Sequence, residues 1–272
     1  MELEFWGVRG TFPVSGKNKN KYGGYTPCAS VISSQGEIII VDAGTGLRQL
    51  GDKLIREKRE SPLHLSLLLT HFHLDHIMGL PFFSPLYSED VIITFYAPAS
   101  PHETEKYLRG LMAERYFPQD FSKTKSKKFF KKVPEESFAI GSVSVSYCPL
   151  IHPQGSVAYK LQEEEKSIVF ATDTENPKKG IDKRLISFAR GASIFIYDAM
   201  YTLEEYESGK SGWGHSTWLE GTRIAGEAKV DDLCLSHFNP DHDDTHIDEM
   251  VVLAQKEFSR TYGAREGLKK KL

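Results

Sequence analysis

Six consecutive residues carry the densest chemistry in this chain: His71-Phe72-His73-Leu74-Asp75-His76. Three imidazoles and a carboxylate offer nitrogen and oxygen donors, the set that suits zinc, manganese and iron. Histidines two apart in an extended turn point the same way, so His71 and His73 can share one ion. Asp75 and His76 follow on the next turn and can hold a second one close by. A lone histidine would read as a structural residue. Four ligand-type residues in six, directly after the apolar run Leu65–Thr70, do not.

Two neighbouring ions need more ligands than this loop provides, and other strand ends supply candidates. His152 follows Cys148-Pro149-Leu150-Ile151. Asp173 follows Ile168-Val169-Phe170-Ala171-Thr172, where a carboxylate could bridge both ions. His237 follows Leu233-Cys234-Leu235-Ser236. One device repeats: an apolar strand ending in a ligand at the same edge of a sheet.

Those ends need strands to hold them. Apolar, β-branched runs at Leu3–Val8, Ala29–Ser33, Glu37–Val41, Leu65–Thr70 and Val91–Ala97 read as strands, as do Val143–Pro149, Val157–Gln162, Ser167–Ala171, Ala192–Tyr197 and Asp232–Ser236. Ser34-Gln35-Gly36 and Glu163-Glu164-Glu165-Lys166 read as turns. Helices are expected over Leu47–Lys58, Pro101–Tyr116, Asp182–Arg190, Thr217–Lys229 and Ile247–Tyr262, with start signals at Ser216-Thr217 and Asp244-Thr245. Strands cluster early and again after residue 140, each group followed by helices. That order predicts two sheet-and-helix halves packed as an α/β sandwich. No Pro/Gly/Ser-rich linker divides them, so residues 1–272 are expected to form a single metal-binding domain.

Composition narrows the class. Hydrophobic residues make up 40% and charged residues 26%, ordinary for a protein with a proper core. The net charge of −3 excludes the basic balance of a general nucleic-acid coat, while leaving room for a local basic site. Cys28, Cys148 and Cys234 are dispersed, without a CxxC pair, and read as reduced core thiols. The acidic start Met1-Glu2-Leu3-Glu4 lacks the basic region of a signal peptide. No apolar run nears the roughly 20 residues needed to cross a bilayer. A cytoplasmic protein without membrane partners is expected, with room left for an oligomer.

The run THFHLDH, with Asp42 in VDAGTG, His152, Asp173 in ATDTE and His237 in SHF, resembles the metallo-β-lactamase fold superfamily from Asp42 to His237. The resemblance implies a four-layer αββα sandwich with the metal site at one edge of the sheets. It implies that His71, His73 and His152 hold a first ion, that Asp75, His76 and His237 hold a second, and that Asp173 bridges them. Asp42 would be a buried group supporting the metal loop. The cofactors are then two divalent ions, zinc first, with manganese or iron as alternatives.

A hydroxide held between two such ions is a good nucleophile at neutral pH, because bound water can reach a pKa of about 7. A sugar alkoxide still leaves phosphorus poorly without a proton donor, and general-acid help is worth roughly 10²–10⁴-fold. His215, in Trp213-Gly214-His215-Ser216-Thr217, stands at a helix start. Asp198, in Tyr197-Asp198-Ala199-Met200-Tyr201, ends another apolar strand. An Asp198–His215 pair would orient the imidazole and favour its protonated form. With Asp75, these are the catalytic candidates; the plainer reading makes them capping groups. The two segments resemble the ribonuclease Z-like phosphodiesterase branch, which carries HEAT-type and GHST-type segments there. Asp198 stands where that branch usually has glutamate, and Tyr197 where it has histidine.

The stretch Thr174–Tyr197 is too short for the protruding arm by which ribonuclease Z holds transfer RNA. Phe5-Trp6-Gly7-Val8-Arg9-Gly10-Thr11 and Tyr22-Gly23-Gly24-Tyr25-Thr26 are similar to relatives that hydrolyse cyclic nucleotides and cyclic phosphates. Arg9 reads equally as a phosphate contact or a structural salt bridge. The leading expectation is a phosphodiesterase for a small or cyclic nucleotide, a small-molecule phosphodiester. The alternative is an RNA-processing endonuclease gripping its substrate with Lys123–Lys132, six lysines around Phe129-Phe130. The plainer reading of that run is a solvated loop. A nucleic-acid-binding module with a vestigial metal site is a lesser alternative, disfavoured by the intact ligand set. His242 and His246 read as surface residues capping the last helix.

Overall fold

Runs of aliphatic and β-branched residues set the frame. Glu2–Gly7 (β1), Cys28–Ile32 (β2), Ile38–Val41 (β3), Leu63–Leu68 (β4), Val91–Ala97 (β5) and Lys127–Lys132 (β6) form one sheet. Phe138–Ile140 (β7), Val143–Leu150 (β8), Ser156–Glu163 (β9), Lys166–Ala171 (β10), Ile194–Asp198 (β11), Asp232–Ser236 (β12) and Thr261–Gly263 (β13) form the second. Lys269–Lys271 (β14) returns to pair with β1. The orders are β14-β1-β2-β3-β4-β5-β6 and β13-β12-β11-β10-β9-β8-β7. This computed structural model describes residues 1–57, 62–177 and 179–272. Helices α1 (Leu47–Arg56) and α2 (Pro101–Leu111) belong to the first half. Helix α3 (Lys183–Ala189), the single turn α4 (Leu203–Glu205), α5 (Trp218–Ala228) and α6 (Asp244–Glu257) belong to the second. The result is the expected αββα sandwich.

Strands buried on both faces are apolar: β3 is so throughout, while β4 and β5 admit His64, Ser66 and Thr94 only at their less buried positions. Ile38 and Ile40 join Leu65, Leu67 and Phe95 in a core that includes residues of α1 and α2. Ile39 and Val41 join Val31 and Leu68 in a core shared with the second sheet. Each such side chain stabilises the fold by roughly 1.5–3 kcal/mol. Strands β3, β4 and β5 run parallel, as do β10, β11 and β12. Their carboxyl ends are where ligand-bearing loops emerge in α/β sheets. Asp42 follows β3, Thr70-His71 follow β4, Asp173 follows β10, Asp198 closes β11 and His237 follows β12.

The elements depart from expectation where charge hid a strand. Lys127–Lys132 is an edge strand, registered from Ile92↔Lys127 to Ala97↔Lys132, rather than a loop. Phe130 turns inward and stacks on Phe95 with centroids 5.3 Å apart, while Phe129 stays exposed. The last helix stops at Glu257 because Thr261–Gly263 pairs with β12. Its N-cap is Asp243, one residue before the expected signal. The second helix ends at Leu111, short of Tyr116. Lys58, the expected end of the first, lies outside the described residues. All three cysteines are buried free thiols. Among the described residues no helix is long and apolar enough to cross a membrane.

Candidate metal and catalytic site

The chain leaves β4 through Leu69-Thr70 and enters the histidine loop, which closes in a single 3-10 turn, Leu74–His76. Asp42 anchors that loop from the neighbouring strand. Its carboxylate accepts from Thr70 N at 2.9 Å, from Thr70 Oγ1 at 3.0 Å and from His76 Nδ1 at 2.8 Å. Thr70 Oγ1 in turn lies 3.0 Å from His71 Nδ1. Because the threonine proton goes to Asp42, the His71 Nδ1–H donates to the hydroxyl, and Nε2 keeps its lone pair.

The same logic fixes the other imidazoles. His152 Nδ1 donates to Gly214 O at 2.8 Å, which turns Nε2 inward. His73 Nε2 donates to Gln154 Oε1 at 2.9 Å, leaving Nδ1 to face His152 Nε2 across 3.1 Å. A hydrogen bond on one ring nitrogen decides which nitrogen is left as a ligand.

Two donor groups result. His71, His73 and His152 form one, and Asp75, His76, Asp173 and His237 form the other. In the second, His76 Nε2 lies 3.1 Å from Asp173 Oδ2, 3.3 Å from Asp75 Oδ2 and 3.3 Å from His237 Nε2. His237 Nε2 lies 3.4 Å from Asp75 Oδ2 and 3.3 Å from Asp173 Oδ2. Ligands about 2.0–2.1 Å from a tetrahedral zinc stand about 3.3–3.4 Å from one another, so the spacing fits. The other oxygen of Asp173 faces the first group, 3.9 Å from His71 Nε2 and 4.0 Å from His152 Nε2. His71 Nε2 and Asp173 Oδ2 are buried without a hydrogen-bond partner, as a cation's ligands would be.

Electrostatics point the same way. Burial, reinforced by the neighbouring imidazoles, holds His71 well below the ordinary histidine value and lowers His152, so both present lone pairs. Burial also works against charge at His76 and Asp75, yet the carboxylates Asp173, Asp75 and Asp42 raise His76, while His76 and His237 lower Asp75. In this corner positive charge is strongly favoured.

Asp198 is fully buried and serves several donors at once. It accepts from Met200 N and Ser216 N at 3.1 Å each, from Asp173 N at 2.9 Å and from His215 Nδ1 at 3.0 Å. His237 Nδ1 stands 3.5 Å from the same carboxylate. Burial works against the His215 imidazolium, but Asp198, helped by Asp173 and Asp75, pushes its pKa up to about 9. Tyr197, at the departure from the expected pattern, donates from its hydroxyl to Ser216 Oγ at 2.9 Å and so secures the segment carrying His215.

Three residues at the site were not expected. Glu175 accepts from Tyr206 OH at 2.5 Å, Gly212 N at 2.7 Å and Gly214 N at 2.9 Å, shaping the turn whose carbonyl orients His152. Only glycine fits at 214, with φ +85° and a Cβ that would fall 2.3 Å from His152 Nδ1. Gln154 braces His73, and Thr11 N donates to Asp75 Oδ2 at 2.8 Å. Glu175 adjoins the Asp173 motif and was the one within reach of the sequence; the other two depend on chain segments meeting in space. Arg9 meets neither of its expected roles. It is fully buried and donates to carbonyls, Gly23 O at 2.8 Å, Asn239 O at 3.1 Å and His242 O at 2.7 Å, so it ties loops together. Asp42, Asp173 and His237 share left-handed backbone, with φ of 61°, 59° and 59°.

A family model described as "Beta-lactamase superfamily domain" matches residues 37–238. Ribonuclease Z of Thermoplasma acidophilum is 23% identical over 243 residues, 74% of this chain and 77% of that protein. The probable metallo-hydrolase YhfI of Bacillus subtilis is 23% identical over 87% of this chain and 86% of its own. The crystal structure of YhfI superposes with a TM-score of 0.74 at 20% identity, covering 99% of this chain and 98% of that one. A diphosphatase from the PhnP family gives a TM-score of 0.72 at 17% identity, covering 100% and 97%.

Proposed function

This chain belongs to the beta-lactamase superfamily and is a metal-dependent hydrolase, and we propose that within it the chain is a dinuclear phosphodiesterase acting on a small or cyclic nucleotide. The observation that carries the reading is the Asp198–His215 pair set against the donor groups. Asp173, Asp198, His215 and His237 place donor atoms within 4.8 Å of one another. A thiolate leaves a thioester without such a proton donor, whereas an alkoxide leaving phosphorus needs one.

His71, His73 and His152 would hold one ion and Asp75, His76 and His237 the other, with Asp173 offering one oxygen to each. Asp42, Asp75, Asp173 and Asp198 are all buried. Uncompensated buried carboxylates are costly; the His215 imidazolium answers Asp198, and divalent cations would answer the others. Zinc suits the nitrogen–oxygen set and its spacing, with manganese or iron as alternatives. When bound, such ions supply a nucleophilic water at neutral pH and polarise a phosphoryl oxygen. The chain's own part is to hold a proton on His215 Nε2 through the Asp198 bond on Nδ1, and to deliver it to the leaving oxygen.

Beside His71 and His73 lies a cleft of about 870 Å³, walled by Phe72, Ile77, Pro98 and Tyr107, with Lys106 at its side. That size falls in the range of small-ligand sites, and its apolar wall suits a nucleoside, with Lys106 and Glu103 both at the rim. The RNA-processing alternative draws on the relatives' name and on β6, whose alternation puts Lys127, Phe129 and Lys131 on one exposed face. Donors come from both halves of the chain, which supports reading residues 1–272 as one domain. Metal-loaded protein incubated with cyclic nucleotides and with a 3′-extended transfer RNA precursor, with products identified by mass, separates the readings. Ring opening of the cyclic phosphate is expected; cleavage of the RNA alone would put the alternative first.

A further inference from the structure

One group of donors takes no part in the site above. Glu205, His242 and His246 bring a carboxylate oxygen and two imidazole nitrogens within 4.8 Å of one another. His242 Nε2 is 2.7 Å from Glu205 Oε1. The two imidazole rings lie nearly parallel, 14° apart, with centroids 3.9 Å from each other. His242 is buried rather than on the surface, and its Nδ1 has no hydrogen-bond partner. The capping role expected of these histidines belongs to Asp243, which accepts from His246 N at 2.9 Å.

Glu205 and the His242 backbone are held by neighbours outside the group, while the His246 ring, stacked on His242, would turn to aim its lone pair at a shared ion. The second oxygen of Glu205 accepts from Thr202 N at 2.8 Å, in a capping box that leaves Oε1 facing His242. The His242 backbone is held by Arg9 Nη1 at 2.7 Å and Lys19 Nζ at 2.9 Å, both bound to its carbonyl. Two of the three donors thus have the preorganisation that a metal site requires of its scaffold.

We infer that Glu205, His242 and His246 form a third cation site, for a transition-metal ion of the zinc, cobalt or nickel class that suits two imidazoles and a carboxylate. The two segments it joins flank the catalytic residues. Glu205 lies four residues beyond Tyr201, whose ring is 6.1 Å from that of His215, and His242 lies five residues beyond His237. The ion staples these segments together.

The test is a metal count. Protein stripped by chelator, reloaded with Zn²⁺ and desalted is analysed for zinc by mass spectrometry, beside H246A, E205Q and D173A. H246A and E205Q are each expected to hold one equivalent fewer than the parent, and H246A is expected to lose one equivalent from the D173A background as well. Matching circular dichroism melts of the stripped proteins establish that both variants fold. Equal zinc in parent, H246A and E205Q would overturn the third site and leave only a His242–Glu205 hydrogen bond beside a stacked ring. Unchanged zinc in D173A alone would count against the dinuclear reading and leave this one standing.

Discussion

The two donor groups that meet at Asp173 are built to different standards. Asp75, His76, Asp173 and His237 are all buried, and the imidazoles face a carboxylate from each sheet, Asp42 on His76 and Asp198 on His237. His71, His73 and His152 contribute imidazole alone; two of the three are partly exposed, and His73 leans on Gln154, itself at the surface. The cleft opens onto this second, looser group. On the proposed dinuclear reading, the difference implies a division of labour in which the buried group would retain its ion and the open one would meet the substrate.

The largest break would come at the shared residue. Asp173→Ala should empty both groups and reduce turnover of any phosphodiester to background; a metal count that still finds two ions there would dissolve the comparison. Next in size, His215→Ala should keep its metal and lose roughly 10²–10⁴-fold on an alkyl phosphodiester. On a nitrophenyl ester, whose leaving group needs no proton, the loss should be far smaller, and equal losses on both would remove the proton-donor role. Asp42→Asn should weaken the buried group about 10–100-fold, measured as faster loss of one equivalent to a chelator. Gln154→Ala should have a smaller effect confined to the open group. A larger effect for Gln154→Ala than for Asp42→Asn would invert the comparison. The smallest readout is a shift in position. Because Asp198 holds the His215 imidazolium up to about 9, and the acid works only while protonated, activity should fall as pH rises through that region. In Asp198→Asn the alkaline limb should move to lower pH, and an unmoved limb would assign it to another group.

Much of this was legible because each ligand candidate follows an apolar run long enough to announce a strand. Ile168–Ala171 before Asp173 and Leu233–Leu235 before His237 are examples. What was illegible depends on pairing across the chain. Nothing in Lys127-Lys128-Phe129-Phe130-Lys131-Lys132 advertises a strand; its backbone bonds come from β5, and Phe130 and Lys128 turn inward onto Phe95 and Phe121. Thr261–Gly263 likewise takes its conformation from β12, against the helical pattern before it. Gln154 and Thr11 carry no signal of their own, since each acts through a side chain more than sixty residues away.

The left-handed turns at Asp42, Asp173 and His237 bear on how this protein can change. Each costs of order 1 kcal/mol or more for a residue with a side chain, and glycine would relieve that cost at all three places. Thermal robustness and activity therefore pull against each other at the ends of β10 and β12, whereas at the end of β3 the strain is offset by the hydrogen bonds that tie Thr70 and His76 to Asp42. A lineage released from its chemistry would be drawn to surrender Asp173 and His237 early, and to keep Asp42 longest for the loop it ties down.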